Sequence, residues 1–105
     1  MANVGPMNIF DNLPCDASAE HVETLLEDRT VKIERIVSTG QTTDWQTQDQ
    51  NEWVTVLRGQ AIVAFDAGKE THLTPGDCLH IPAQQKHRVS WTATNQETLW
   101  LAVHY

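Results

Sequence analysis

Four side chains could do chemistry if the fold brings them together. Gln46, Gln48 and Glu52 lie in the stretch from Gly40 to Gly59, GQTTDWQTQDQNEWVTVLRG, and His87 lies in a second stretch, GDCLHIPAQQKHRVSW, from Gly76 to Trp91. Imidazole and carboxylate are good ligands for first-row divalent ions, whereas glutamine offers a neutral carbonyl oxygen that suits harder ions. The four could therefore hold one divalent ion, with water filling the open positions. Without metal, Glu52 and His87 could act as base and acid on a small carbonyl compound. The plainest alternative is a charge-assisted hydrogen bond between Glu52 and His87, with the glutamine amides completing the network.

Positioning these groups requires strands. Gln46, Gln48 and Glu52 share even parity with Val54 and Val56, so an extended chain points them all to one side. His87, Val89 and Trp91 are expected to line the opposing strand. The expected ligand pocket, built from Trp45, Gln46, Gln48, Val54 and Trp91, has a polar mouth and an apolar floor, as small-molecule sites usually do. Lys86 and Arg88 should point the other way, to solvent. Cys78 has no identifiable base beside it, so it is not expected to act as a nucleophile.

The rest of the chain reads as about seven short strands with Gly or Pro at most corners. They are Val31–Val37, Trp53–Leu57, Ala61–Phe65, Glu70–Leu73, Cys78–Ile81, His87–Trp91 and Thr98–His104. Arg58-Gly59 is expected as a tight hairpin turn, and Pro75-Gly76 as a type II turn with Gly at its third position. Ahead of the strands, residues 1–30 read as an arm and one short helix. Ile9, Phe10 and Leu13 should anchor the arm. Val22, Leu25 and Leu26, spaced i, i+3, i+4 among acids, predict an amphipathic helix of two to three turns. Residues 31–105 then form the barrel of a single domain. Met7 could serve as the start as well as Met1.

Composition narrows the function classes. The net charge is −7 and hydrophobic residues make up 40%. An acidic surface repels phosphate backbones and anionic lipid, so neither nucleic acid nor a membrane is an expected partner. No apolar run reaches the ~18 residues of a membrane span. Two distant cysteines without a signal peptide suit reduced thiols in the cytoplasm.

The two opening stretches resemble the paired motifs of the cupin superfamily. Gly40, Glu52 and Gly59 fall where the first motif has its glycines and glutamate, and Gln46 and Gln48 stand where its two histidines belong. Gly76, Pro82 and His87 match the second motif, with Gln84 in place of its second glycine and Trp91 in place of its asparagine. The tail resembles that of small single-domain bacterial cupins of unassigned function. The resemblance implies an all-β jelly-roll barrel (a double-stranded β-helix), often a homodimer. In metal-binding cupins these positions hold one divalent ion, commonly Mn, Fe, Ni or Zn, so the resemblance carries Glu52 and His87 over as ligands, with Gln46 and Gln48 departing from the pattern. The make-up of the expected pocket makes a small polar molecule the expected partner. Metal-dependent oxygenase or isomerase chemistry and a metal-free dimeric interaction module are the alternatives.

Overall fold

A computed structural model describes residues 5–105, and Met1 lies outside them. Eight strands form two antiparallel sheets: β1 (His21–Asp28), β2 (Val31–Ser38), β3 (Glu52–Arg58), β4 (Ala61–Phe65), β5 (Glu70–Leu73), β6 (Cys78–Ile81), β7 (His87–Thr92) and β8 (Thr98–His104). One sheet has the order β1-β2-β8-β3-β6 and the other β5-β4-β7. Each strand has one apolar face to bury, and two facing sheets satisfy all of them at once. The shared core joins Val54, Val56, Ile81, Trp100 and Ala102 of the larger sheet to Ala61, Val63 and Leu73 of the smaller. This is the jelly-roll architecture.

The expected helix is a strand. Residues 21–28 pair antiparallel with β2, from His21 opposite Val37 to Asp28 opposite Val31, with a bulge between Thr24 and Leu26. A helix of two to three turns is marginal alone and needs an apolar groove. The open edge of β2 instead offers unpaired amides and carbonyls, which an extended segment satisfies along its whole length. Val22 and Leu26, two of the three residues of the expected apolar stripe, are 54% and 51% exposed. Among the described residues there is no helix, and so none long and apolar enough to cross a membrane.

Polar bonds tether the arm, and of the expected apolar anchors Ile9 and Leu13 are half-buried. The buried Arg35 donates from Nη1 to the carbonyls of Ile9 and Asp11 and from Nη2 to Glu23 Oε1. Phe10 remains exposed, with the Arg58 guanidinium 5.2 Å from its ring centroid.

Two turns had opposite outcomes. Asp77 N–H donates to Thr74 O at 2.9 Å and Gly76 has φ 93°, the type II geometry expected of Pro75-Gly76. The Thr74 backbone N–H and then its hydroxyl donate to Asp77 Oδ2, and they hold that carboxyl below its usual range. Arg58-Gly59, in contrast, does not close a hairpin. β3 and β4 belong to different sheets, so the chain crosses the barrel there. Gly59 has φ 85°, and a Cβ on it would lie 2.6 Å from Glu97 O and from Thr98 Cα.

Candidate functional site

Glu52 opens β3 between two neighbours, opposite Ile81 of β6 and His104 of β8. His87 opens β7 opposite Phe65 of β4. The loop before β3 lies along β7: Gln46 and His87 exchange both backbone hydrogen bonds, at 2.9 and 3.0 Å, and Thr43 N–H donates to Val89 O at 3.0 Å. Further along, Gln84 N–H donates to Gln48 O at 2.7 Å. Gln84 has φ 68°, a left-handed conformation that favours glycine. These backbone bonds carry Gln46 and Gln48 across to His87 and place all four candidate residues together.

Their side chains form a defined network. His87 is 3% exposed. Its Nδ1 lies 2.8 Å from the Gln85 carbonyl oxygen, which can only accept. Nδ1 therefore carries the hydrogen, and in the neutral ring Nε2 is left as an acceptor. Gln48 Nε2 lies 2.9 Å from Glu52 Oε1 and 3.3 Å from His87 Nε2, so one amide group donates to both. Glu52 Oε1 and His87 Nε2 stand 3.8 Å apart, beyond hydrogen-bond reach. The expected direct Glu52–His87 bond is thus replaced by a bridge through Gln48.

Glu52 and His87 of this network line a cavity of ≈ 90 Å³ between the sheets, whereas Gln48, expected in the pocket, is not part of its lining. Ile36, Val54, Val63, Ile81, Val89 and Trp100 make its apolar lining, and Glu20, Thr43, Gln46, Glu52 and His87 its polar part. Trp91 does not line it. A bulge in the β4–β7 ladder pairs Ile62 with Trp91 but Val63 with Val89, so Ser90 is an extra residue. The alternation inverts there. Trp91 turns outward, 38% exposed, and Thr92 turns in and is buried. Trp45 is likewise outside, 44% exposed, next in sequence to the inward Gln46. Lys86 Nζ and Arg88 Cζ lie 5.9 and 5.6 Å from its ring centroid, facing away from the cavity as expected. His80 is also exposed, with Nε2 3.0 Å from the Tyr105 hydroxyl.

The sequence reading missed Glu20, Ile36, Thr43, Val63, Ile81 and Trp100. Val63 and Ile81 could have been reached from strand parity. Trp100 reads equally well as core. Glu20 carries no local signal: it precedes β1 and is held at the cavity by the Ser38 hydroxyl, which donates to its Oε2 at 2.9 Å.

A cupin-domain profile matches residues 34–104. The chain belongs to the cupin family. It is 40% identical to a protein from Ralstonia eutropha JMP134, provisionally assigned as a mannose-6-phosphate isomerase. That match covers 95% of this chain and 96% of the other, with a TM-score of 0.89. Two further cupins share the fold at 17% identity. One, from Desulfitobacterium hafniense DCB-2, has a TM-score of 0.82 with 99% and 93% of the two chains covered. The other, an RmlC-like cupin from Desulfovibrio desulfuricans, has a TM-score of 0.77 with 97% of each covered. No curated protein matches the chain.

The donor set of this cupin does not fit a tightly held first-row divalent ion. It offers one imidazole and one carboxylate, where such ions are commonly held by three or four strong ligands. Among the described residues no group of three His, Cys, Asp or Glu side chains is arranged to hold a metal. In addition, the Gln48 amide turns its N–H groups, not its oxygen, toward Glu52 and His87. A donor therefore stands between the two strongest candidate ligands.

Proposed function

We propose that this cupin binds a small polar molecule in its barrel, at the wall formed by Gln46, Glu52 and His87, without a resident metal. One observation carries the reading: Glu52 and His87, joined by hydrogen bonds through Gln48, open onto a cavity with an apolar lining of six residues and a few convergent polar groups. An apolar chamber with a few convergent polar groups can orient a ligand while excluding water. Gln46 contributes a further amide to the lining. Action in the cytoplasm and as a homodimer belongs to the same proposal. The exposed free thiols of Cys15 and Cys78 suit a reducing compartment. The exposed Trp45, Trp53 and Trp91 offer large aromatic area for a partner surface.

The Ralstonia relative favours a second reading, isomerisation of a small hydroxycarbonyl compound with Glu52 as the base. A sugar phosphate suits this site poorly. An engineered cavity of about 150 Å³ admits benzene, so ≈ 90 Å³ corresponds to about four non-hydrogen atoms. The lining carries two carboxylates, Glu20 and Glu52, and neither Lys nor Arg to meet a phosphate.

Two measurements test the proposal. Fragments of about four non-hydrogen atoms should shift the NMR resonances of Val54, His87 and Trp100; hits confined to the outer faces would refute it. Protein purified without chelator or nickel resin should contain well under one equivalent of Mn, Fe, Ni or Zn. A full equivalent that is lost in Glu52→Ala would establish a metal site and overturn the metal-free reading.

A further inference from the structure

We infer that two copies of this chain meet on the outer face of the larger sheet, packed sheet on sheet about a two-fold axis. This names the surface of the homodimer proposed above and rests on that part of the reading. The observation is a line of cross-strand neighbours. Leu26 stands opposite Ile33, Ile33 opposite Val103, Val103 opposite Trp53 and Trp53 opposite His80, so β1, β2, β8, β3 and β6 each give one residue to a single row. Val54, Ile81, Trp100 and Ala102, next in sequence to members of the row, fill the core, so the row faces outward. The solvent face of an antiparallel sheet is ordinarily polar. Here every member but His80 is apolar. Leu26 is 51% and Trp53 36% exposed, and Ile33 and Val103 are half-buried. The exposed Tyr105 extends the patch, stacked on His80. The described part of the arm leaves the row open. Its carbonyls meet Arg35, one row away, and Val37, Thr55 and Leu99 on the arm's part of the face are buried.

Charge and area favour a second copy as the occupant. A two-fold contact sets a patch against itself, so a charge within it faces its own like. The row holds no Lys, Arg, Asp or Glu, in a chain of net charge −7. The outer face of the smaller sheet fails this requirement, because Lys86 and Arg88 flank its exposed Trp45 and would approach their own copies. With the two-fold axis along the strands, β1 of one copy lies over β6 of the other. Asp28, opposite Val31 at the rim of the patch, then faces the end that carries His80 and Tyr105, which can donate to it. Four strand spacings make the row about 19 Å wide. With Val31, Leu101 and Tyr105 beside it the patch covers roughly 500 Å² on each copy, so a pair buries about 1,000 Å², where specific interfaces begin.

Sedimentation equilibrium of the full chain without ligand, from about 1 to 300 μM, tests the inference. The wild type should sediment at twice the 11.8 kDa of the chain. Trp53→Glu sets like charges against each other inside the contact and should weaken association roughly a hundredfold. Leu26→Lys, at an exposed position of the edge strand that tolerates the change, should weaken it roughly tenfold. Trp91→Glu, on the outer face of the smaller sheet, should leave association unchanged. Circular dichroism and Tm check that each variant folds. If Trp91→Glu separates the copies while Trp53→Glu and Leu26→Lys do not, the inference fails and the homodimer stands. If the wild type remains a monomer at the highest concentration, both fail, and the row awaits a partner of another kind.

Discussion

Replacing Gln48 by Leu tests the bridge on which the site depends. The substitution keeps the approximate volume and removes both donors. Glu52 Oε1 loses a hydrogen bond of 2.9 Å and His87 Nε2 one of 3.3 Å, in a place where the Glu52 side chain is 13% exposed and that of His87 4%. A hydrogen bond to a charged group contributes about 1.5–3 kcal/mol, and the longer bond to a neutral ring adds about 0.5 kcal/mol. The expected loss is therefore roughly 2–3.5 kcal/mol, or about 8–20 °C in Tm for a chain of this size. Urea and thermal denaturation measure it. A double-mutant cycle with Glu52→Gln separates the bridge from general packing. In that background Gln48→Leu breaks a neutral bond, and its cost should fall by about 1 kcal/mol. A Tm change under 2 °C, or strict additivity in the cycle, would refute the bridge.

Three more outcomes follow from the same geometry. Gly59→Ala should destabilise by about 3 kcal/mol or more, since the left-handed backbone costs about 1–2 kcal/mol for any other residue and the new Cβ meets the Thr98 hydroxyl and rigid backbone at Glu97 and Thr98; soluble protein with an unchanged Tm would contradict it. Asp77→Asn should narrow the stability difference from wild type on acidification: the native state holds Asp77 ionised below the ordinary 3.8, so its contribution is present above about pH 4 and is lost as pH falls through the depressed value. Denaturation curves from pH 6 to 2 would show the gap closing, and a constant gap would remove Asp77 from the account. The double substitution of Gln46 and Gln48 by His should let the barrel take up about one equivalent of Zn or Ni and raise Tm with added metal, an effect of about 2.7 kcal/mol at a hundred times Kd; an equal rise in the wild type would show that the glutamines do not bar the ion.

Strand boundaries were legible because they depend on local properties. Ala61–Phe65, Glu70–Leu73, Cys78–Ile81 and Thr98–His104 are bounded by Gly, Pro, Asp or Asn within a few residues, and the period of two is a property of extended chain. The Pro75-Gly76 turn was legible for the same reason: proline presets one φ and glycine permits the other. The convergence of Gln46, Gln48, Glu52 and His87 was legible from motif spacing. That spacing says nothing about which atom each side chain presents.

Most of what depended on a distant neighbour had to wait for the fold. Residues 21–28 carry a helical spacing but became a strand because β2 offers an open edge to pair with. Gly59 has the composition of a hairpin turn, yet β3 and β4 part there because they pack into opposite sheets. One extra residue, Ser90, sends Trp91 outside. Glu20 reaches the cavity through a hydrogen bond to Ser38, which no spacing along the chain announces. Periodicity records which residues can share a face. Which face is covered, and by what, is settled by pairings between segments tens of residues apart, where burial and unmet hydrogen bonds outweigh local preference.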